Sequence, residues 1–330
     1  MAKITRGWQF TGTNEPLSFV EKELKTLEEG YVRIRTHNAG LCSSDVGALN
    51  DPTWMNLINV PCILGHEISG EIIELGENVE GWKIGERVAI CPMPCNGAYG
   101  PGYGRDGGYG TITSAHSSML IKVPDNVSSD QAAAATDAGM TSYHAVVVKG
   151  GVKKGTKVGI IGLGGLGTVG MDVAIGKEAE VYVATRKEAA QKKATEHGAA
   201  KVASNIKDFK DDQLDVIVDF AGTEITVKEA METVKPGGKV VLVGMHSPEI
   251  RINATDLILR QTQLVGSMGG TREDIADVIQ LISEGKLKIG VELIPLSDVA
   301  QGLKRLEDGQ ADKRLVMYTT ADDLKKDLPA

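Results

Sequence analysis

The arrangement of apolar and polar residues changes character near residue 130. Before it, apolar positions come in short runs cut by Gly, Pro and Asn. Tyr31-Val32-Arg33-Ile34-Arg35 alternates with the two-residue period of a strand that buries one face. A second run covers 67–73, and a third, at 87–90, follows a turn that begins at Trp82. From 131 onward the period switches. Apolar strands at 157–162, 180–185, 214–220, 239–244 and 264–266 alternate with helices at 165–176, 187–197 and 224–234. Gly198 closes the second of these helices, and Pro236-Gly237-Gly238 marks the turn before the fourth strand. Continuous apolar strands separated by helices predict an α/β, doubly wound parallel sheet covered on both faces. An amphipathic helix at 271–284 and a strand at 314–318 come after it. The pattern divides the chain into a β-rich part at 1–130, a strand–helix part at 131–270 and a tail at 271–330.

Composition supports this division without adding to it. A chain of 330 residues with 42% apolar residues, 24% charged residues and 40 glycines describes a turn-rich globular protein large enough for two domains. The net charge of −8 argues against a nucleic-acid partner, because phosphates require a basic face. The stretch 158–176 is nearly uncharged and long enough to span a bilayer, but its glycines and Asp172 suit a buried strand turning into a packed helix, so no membrane partner is expected. Met1-Ala2-Lys3-Ile4-Thr5-Arg6 runs into polar residues without the apolar core of an export signal, and a cytoplasmic location is the expectation. Cys42, Cys62, Cys91 and Cys95 are too few to frame a chain of this length with disulfides, so reduced thiols are the default.

Two motifs carry chemistry. In the first, Gly162-Leu163-Gly164-Gly165-Leu166-Gly167 follows a strand and opens a helix. Glycines at 162, 164 and 167 permit a tight turn, let backbone N–H groups approach a pyrophosphate and let helix pack on strand, while the helix N-terminus faces the negative charge. Eighteen residues after Gly167, where an acid would bind the ribose 2′-hydroxyl of NAD, stands Thr185, followed by Arg186 and Lys187. A hydroxyl and two cations suit a 2′-phosphate, so NADP(H) is the expected coenzyme; the alternative makes Arg186 and Lys187 solvated residues of a helix start. The second motif pairs Cys42, in Gly40-Leu41-Cys42-Ser43-Ser44-Asp45, with His66, in Gly65-His66-Glu67. Thiolate and imidazole are ligands that zinc accepts, but two ligands do not complete a site, and singly Cys42 is more often a buried small hydrophobe and His66 a satisfied core histidine.

With these segments in view, the chain resembles, over nearly its full length, a zinc-dependent alcohol dehydrogenase of the medium-chain dehydrogenase/reductase superfamily. Gly40 to Asp45 resembles that family's first zinc-ligand segment, Gly65-His66-Glu67 its second, and Thr136-Asp137-Ala138-Gly139-Met140-Thr141-Ser142-Tyr143 the segment bearing the third ligand. Many members have Cys at that third place. Asp137 stands there here, as in a branch of secondary-alcohol dehydrogenases and carbonyl reductases, and a carboxylate oxygen is an acceptable zinc ligand. The resemblance implies a Rossmann-type sheet inserted in a GroES-like catalytic domain to which the tail at 271–330 returns. It further implies one catalytic Zn2+ on Cys42, His66 and Asp137, with Glu67 an occasional fourth ligand or else a solvated or ion-paired acid at a strand start. In the implied reaction the metal leaves one position open for the oxygen of an alcohol or ketone, Ser44 handles the hydroxyl proton, and the active site is the cleft between the domains. Thr141 is implied at the nicotinamide, Gly244, Met245, Ser267 and Met268 at its border, and Arg314 at the pyrophosphate or else in a surface ion pair. A homodimer or homotetramer is the implied assembly.

The chain departs from the family in two places. The lobe that holds a structural zinc in many members is short here and has only Cys91 and Cys95, so no structural zinc is expected and both thiols read as reduced bystanders, a local disulfide being the alternative. Glycines at 97, 100, 102, 104, 107, 108 and 110 predict a mobile loop at the pocket mouth or at a subunit contact. Where proton-relaying members often have His, five residues after the first Cys, this chain has Gly47, so the relay must run from Ser44 through the ribose hydroxyl and water. Trp54, Met93, Tyr109, Met245 and Met268 are candidate pocket residues that read equally as core; such a lining suits a small or medium ketone better than a polyol, whose buried hydroxyls each require a partner. Polyol dehydrogenases, zinc-free quinone or enone reductases and non-catalytic NADPH-binding proteins are the competing classes.

Overall fold

The computed structural model describes residues 4–94, 100–320 and 322–323. The chain divides into two compact units, Met1–Asp137 with Thr271–Ala330, and Ala138–Gly270.

The first unit is built on antiparallel strands. Its larger sheet runs in the order Val291–Pro295, Arg314–Tyr318, Tyr31–Gly40, Glu67–Leu75, Arg87–Ile90 and Leu120–Lys122, with Ile112–His116 paired to Tyr31–Gly40. A three-stranded sheet places Ile4–Phe10 between Ser18–Glu23 and Cys62–Ile63. Alternation puts Val32, Ile34, Ile68, Ile72, Val88 and Ile90 into one apolar cluster, and a second gathers Phe10, Leu41, Ile63, Leu64, Tyr109, Leu315 and Met317. Register fixes what meets at the sheet's end. Gly40 is paired with Glu67 on one side and with Val316 on the other, so Cys42, His66 and Arg314 are brought to the same edge.

This unit extends beyond the boundary expected at 130, because the helix Ser129–Ala134 belongs to it. Gln131 exchanges hydrogen bonds with both backbone groups of Ile289, and Ser69 donates to the Ser129 carbonyl. Asp137 follows in a single π turn, Ala135–Gly139, a local widening of the helix that recurs at functional sites.

In the second unit six parallel strands take the order Lys201–Ala203, Glu180–Ala184, Lys157–Ile161, Val216–Asp219, Lys239–Leu242 and Gln263–Gly266. This is the order of a doubly wound dinucleotide fold, in which the direction of winding reverses between the strands Lys157–Ile161 and Val216–Asp219. Pairing of Ile161 with Ala184 and Asp219, and of Leu242 with Asp219 and Gly266, aligns the carboxyl ends of five strands. Glu188–His197 ends at Gly198, whose φ of +99° is the left-handed cap expected there. The helix Ala254–Arg260 was not expected; Ile258 and Leu259 on it are exposed, so its sequence lacks a core-facing stripe. Among the described residues no helix is long and apolar enough to cross a membrane.

Candidate metal and coenzyme sites

In the first unit Asp137 is the point of convergence. Its Oδ2 accepts from Cys42 Sγ at 3.2 Å and from Arg314 Nη2 at 3.0 Å, and lies 3.8 Å from His66 Nε2. One ligand atom each from Cys42, His66, Glu67 and Asp137 lie within 4.8 Å of one another, the single such group among the described residues. Tetrahedral bonds of about 2.0–2.3 Å to zinc require ligand separations of roughly 3.3–3.8 Å, so the sulfur, the imidazole and the Asp137 carboxylate fit that ion with small adjustment.

The surroundings orient these donors. Cys42 precedes the helix Ser43–Asn50 as its N-cap, and its backbone N–H donates to Asp45 Oδ2 at 3.1 Å. Asp45 is buried at 1% exposure; the same oxygen accepts from Tyr109 at 2.7 Å, and its Oδ1 stands 3.4 Å from His66 Nδ1. Apart from that ionic contact, neither of those two atoms has a hydrogen-bond partner. A proton on Nδ1 facing Asp45 leaves Nε2 as the donor atom, the usual carboxylate–histidine arrangement of metal sites. Burial favours the neutral His66 ring, but Tyr103, Asp45 and Asp137 reverse the balance and hold its pKa well above the ordinary value. Surroundings that favour an imidazolium also favour a divalent cation in its place.

Glu67 is fully buried against Gly40, where a side chain would overlap its carboxylate, and it is ion-paired with Arg314, whose Nε donates to Oε2 at 3.0 Å. Arg314 offsets Glu67, and a divalent ion would offset Cys42 and Asp137. For Arg314 this is a correction. Its guanidinium, 7% exposed, is committed to the carboxylates of Glu67 and Asp137 rather than extended toward a pyrophosphate.

Other expectations also change. Tyr109 is a core residue rather than a pocket residue, with no exposed surface and its hydroxyl bound to Asp45 and the Gly40 carbonyl. Trp54 lies half-buried over Gly47; its indole fills the space in which a side chain at 47 would stand, which explains the glycine there. Residues 100–110 are not a loose loop. Gly107 N–H donates to the Ile63 carbonyl, Asn59 N–H to the Tyr103 carbonyl, and Lys22 is ion-paired with Asp106. Gly97 and Cys95 lie outside the described residues, as does any Cys91–Cys95 pairing. Met93 is partly buried.

Two residues to which the sequence assigned no role enter the site. Asp45 lay in a quoted motif, and its place three residues after the helix cap was the available signal. Tyr103 gave none. Its ring centroid is 5.0 Å from that of His66, its hydroxyl donates to Ser44 Oγ at 3.2 Å, and burial pushes its phenol pKa up.

In the second unit the carboxyl edge gathers the other predicted residues. Gly162 turns the chain at φ +82°, and a side chain at Gly167 would overlap the Gly162 carbonyl. Gly164 caps the helix Gly165–Gly176 and faces open space, so a phosphate can approach the first backbone N–H groups; Leu163 and Leu166 are partly buried beside it. Thr185 is buried at the end of its strand, while Arg186 and Lys187 are exposed. Gly244 packs on Ala221 and Gly222, whose N–H groups are held by the buried Asp219. Ser267 is buried with an unpartnered hydroxyl, Met245 and Met268 are exposed, and Thr141 is buried in the helix Met140–Tyr143, which packs on Gly165–Gly176.

A sheet of this order with a glycine turn at its winding reversal, beside a separate unit that gathers sulfur, imidazole and carboxylate donors, defines a nicotinamide-dependent metallo-oxidoreductase type. Comparison with known proteins gives the family. Residues 28–125 match the model of the alcohol dehydrogenase GroES-like domain, and residues 165–284 that of the zinc-binding dehydrogenases. An alcohol dehydrogenase of Geobacillus stearothermophilus is 32% identical over 326 residues, covering 92% of this chain and 96% of the relative. Among solved structures, acetophenone reductase from Geotrichum candidum in complex with NAD is 31% identical with a TM-score of 0.87, covering 96% of this chain and 98% of that one. The alcohol dehydrogenase of the hyperthermophilic archaeon Aeropyrum pernix is 27% identical with a TM-score of 0.86, covering 95% and 99%. The chain belongs to the zinc-dependent alcohol dehydrogenases of the medium-chain dehydrogenase/reductase superfamily. It is an oxidoreductase of that type.

Proposed function

We propose that this protein interconverts small or medium secondary alcohols and ketones with NADP(H), using one zinc held by Cys42, His66 and Asp137. The meeting of Cys42 Sγ, His66 Nε2 and Asp137 Oδ2 carries the reading. Zinc, when bound, supplies the Lewis acidity that polarises a carbonyl or acidifies an alcohol, and the coenzyme supplies or takes the hydride. The chain's own residues do the rest. Asp45 fixes the His66 ring, Ser44 Oγ passes its proton to the product oxygen in reduction while taking another from the ribose hydroxyl and water, with the reverse in oxidation, and Arg314 neutralises Glu67. The turn Gly162–Gly167 receives the pyrophosphate on the backbone N–H groups of the helix that follows.

The acetophenone reductase relative, named for a ketone substrate, supports the substrate class; its structure holds NAD. For this chain we infer NADP(H), because Thr185 replaces the acid that would repel a 2′-phosphate and exposed Arg186 and Lys187 follow it. A cytoplasmic homodimer or homotetramer completes the reading. The reduced thiols of Cys42, which faces Asp137, and of Cys62, which donates to the Arg105 carbonyl, support the first part, and Ile258 and Leu259, exposed beside the edge strand Gln263–Gly266, support the second.

The test is steady-state kinetics on a ketone panel with both coenzymes. The wild type is expected to favour NADPH by about tenfold or more in kcat/KM, and Thr185→Asp to reverse the preference. A wild type faster with NADH overturns the coenzyme reading, and one that reduces no ketone overturns the substrate class.

A further inference from the structure

We infer that Tyr103 is a positioning residue for the Ser44 hydroxyl, and through it for the proton transfer that accompanies hydride transfer. The inference rests on the alcohol–ketone reading above and adds to it a residue from a loop with no expected chemical role.

The geometry has three parts. Tyr103 donates its hydroxyl hydrogen to Ser44 Oγ at 3.2 Å, and no other side chain is bonded to that oxygen among the described residues. A serine oxygen that accepts this bond keeps its own hydrogen and a second lone pair for another partner, so its direction of donation is set. Without Tyr103, a serine in the first turn of the helix Ser43–Asn50 is free to rotate toward nearby backbone carbonyls, a competition open to any helical serine. The second part is the ring, whose plane is tilted 31° to that of His66 at a centroid distance of 5.0 Å, so one side chain touches both a metal-ligand candidate and the proton carrier.

The third part is anchorage, because a positioning group must itself be held. Asn59 clamps the segment twice, its N–H donating to the Tyr103 carbonyl at 2.8 Å and its side chain to the Gly104 carbonyl at 3.0 Å. Gly102 N–H donates to the Arg105 carbonyl at 2.8 Å. The Arg105 guanidinium sits 3.9 Å over the Tyr31 ring, and Asp106 accepts both Lys22 and the Ile63 N–H. These contacts belong to one unit and fix Tyr103 on both sides in sequence.

The test is a double-mutant cycle of Tyr103→Phe and Ser44→Ala, read as kcat and KM for a ketone with NADPH, with zinc content and melting temperature measured on each protein. Phe keeps the ring on His66 and removes only the hydroxyl. Y103F is expected to lower kcat by about three- to tenfold, the worth of one hydrogen bond, with KM, zinc content and melting temperature close to wild type. S44A should cost more, and the double variant no more than S44A alone. A Y103F protein with wild-type kcat while S44A is impaired overturns the positioning role and leaves the proposed function standing, as do losses that multiply in the double variant. S44A at full rate removes the proton carrier itself and sinks both this inference and the assigned role of Ser44. A zinc-loaded wild type without ketone turnover sinks the functional reading with it.

Discussion

At Arg314, one buried and one partly buried carboxylate share a guanidinium. Glu67 is fully buried and Asp137 partly so, and the cation between them is 7% exposed. Taking one partner from a buried ionic group costs about 3 kcal/mol or more, because the remaining charge is left without compensation. A divalent ion at Cys42, His66 and Asp137 offers a substitute positive charge to Asp137, one of those two carboxylates, and leaves Glu67 to Arg314. Arg314→Met is therefore expected to lower the melting temperature by about 6 °C or more in zinc-stripped protein and by clearly less in zinc-loaded protein, measured by calorimetry with and without a chelator. Equal losses in the two states would show that zinc and Arg314 do not both serve Asp137. The sequence offered an ion pair as one reading of Glu67 and of Arg314 but did not join the two or place them in the interior, because Arg314 is one cation in a strand and its partners lie far upstream. Asp45 and Tyr103 were hidden for a related reason: a residue that orients another has no motif of its own, and its role exists only once distant segments meet.

The element scale shows where a pattern suffices. Five of the six parallel strands were legible because each centres on a short apolar run bounded by glycine or by a helix start, and the turn Gly162–Gly167 because its chemistry demands particular glycines; Lys201–Ala203, only three residues long, was not. Gly167 tests that demand. A methyl group there overlaps the Gly162 carbonyl, so Gly167→Ala must push the helix Gly165–Gly176 off its strand. Overpacking of this kind costs about 1–3 kcal/mol, and it moves the N–H groups meant for the pyrophosphate. We expect NADPH binding, followed by fluorescence titration, to weaken at least tenfold while zinc content stays at the wild-type level; unaltered NADPH affinity would remove this turn from the coenzyme site. Elsewhere the pattern fell short for physical reasons. Ala132 to Ala135 are apolar on every side and run into a π turn, so no helical period marks the segment that carries Asp137. The loop 100–110 reads as mobile from its glycines, yet those glycines allow it to lie against the backbone of Gly65 and His66.

For the whole molecule, the division of labour follows the division of the chain. Cys42, His66, Glu67, Asp137, Tyr103 and Arg314 all lie in the first unit, and the carboxyl edge with Gly162, Thr185, Gly244 and Ser267 in the second. Metal binding and coenzyme binding should therefore fail separately. The two-part α/β architecture was readable from the change of period near residue 130, whereas the metal site was readable only through the likeness of three short segments to a family, since their spacing along the chain carries no geometry. The central claim is that Asp137 joins Cys42 and His66 around one ion. Metal analysis of the purified protein and of Asp137→Ala, paired with NADPH titration, tests it most directly. The account predicts about one zinc per chain in the wild type, close to none in D137A, and the same NADPH affinity in both; a D137A protein that keeps its zinc and its ketone turnover would contradict it.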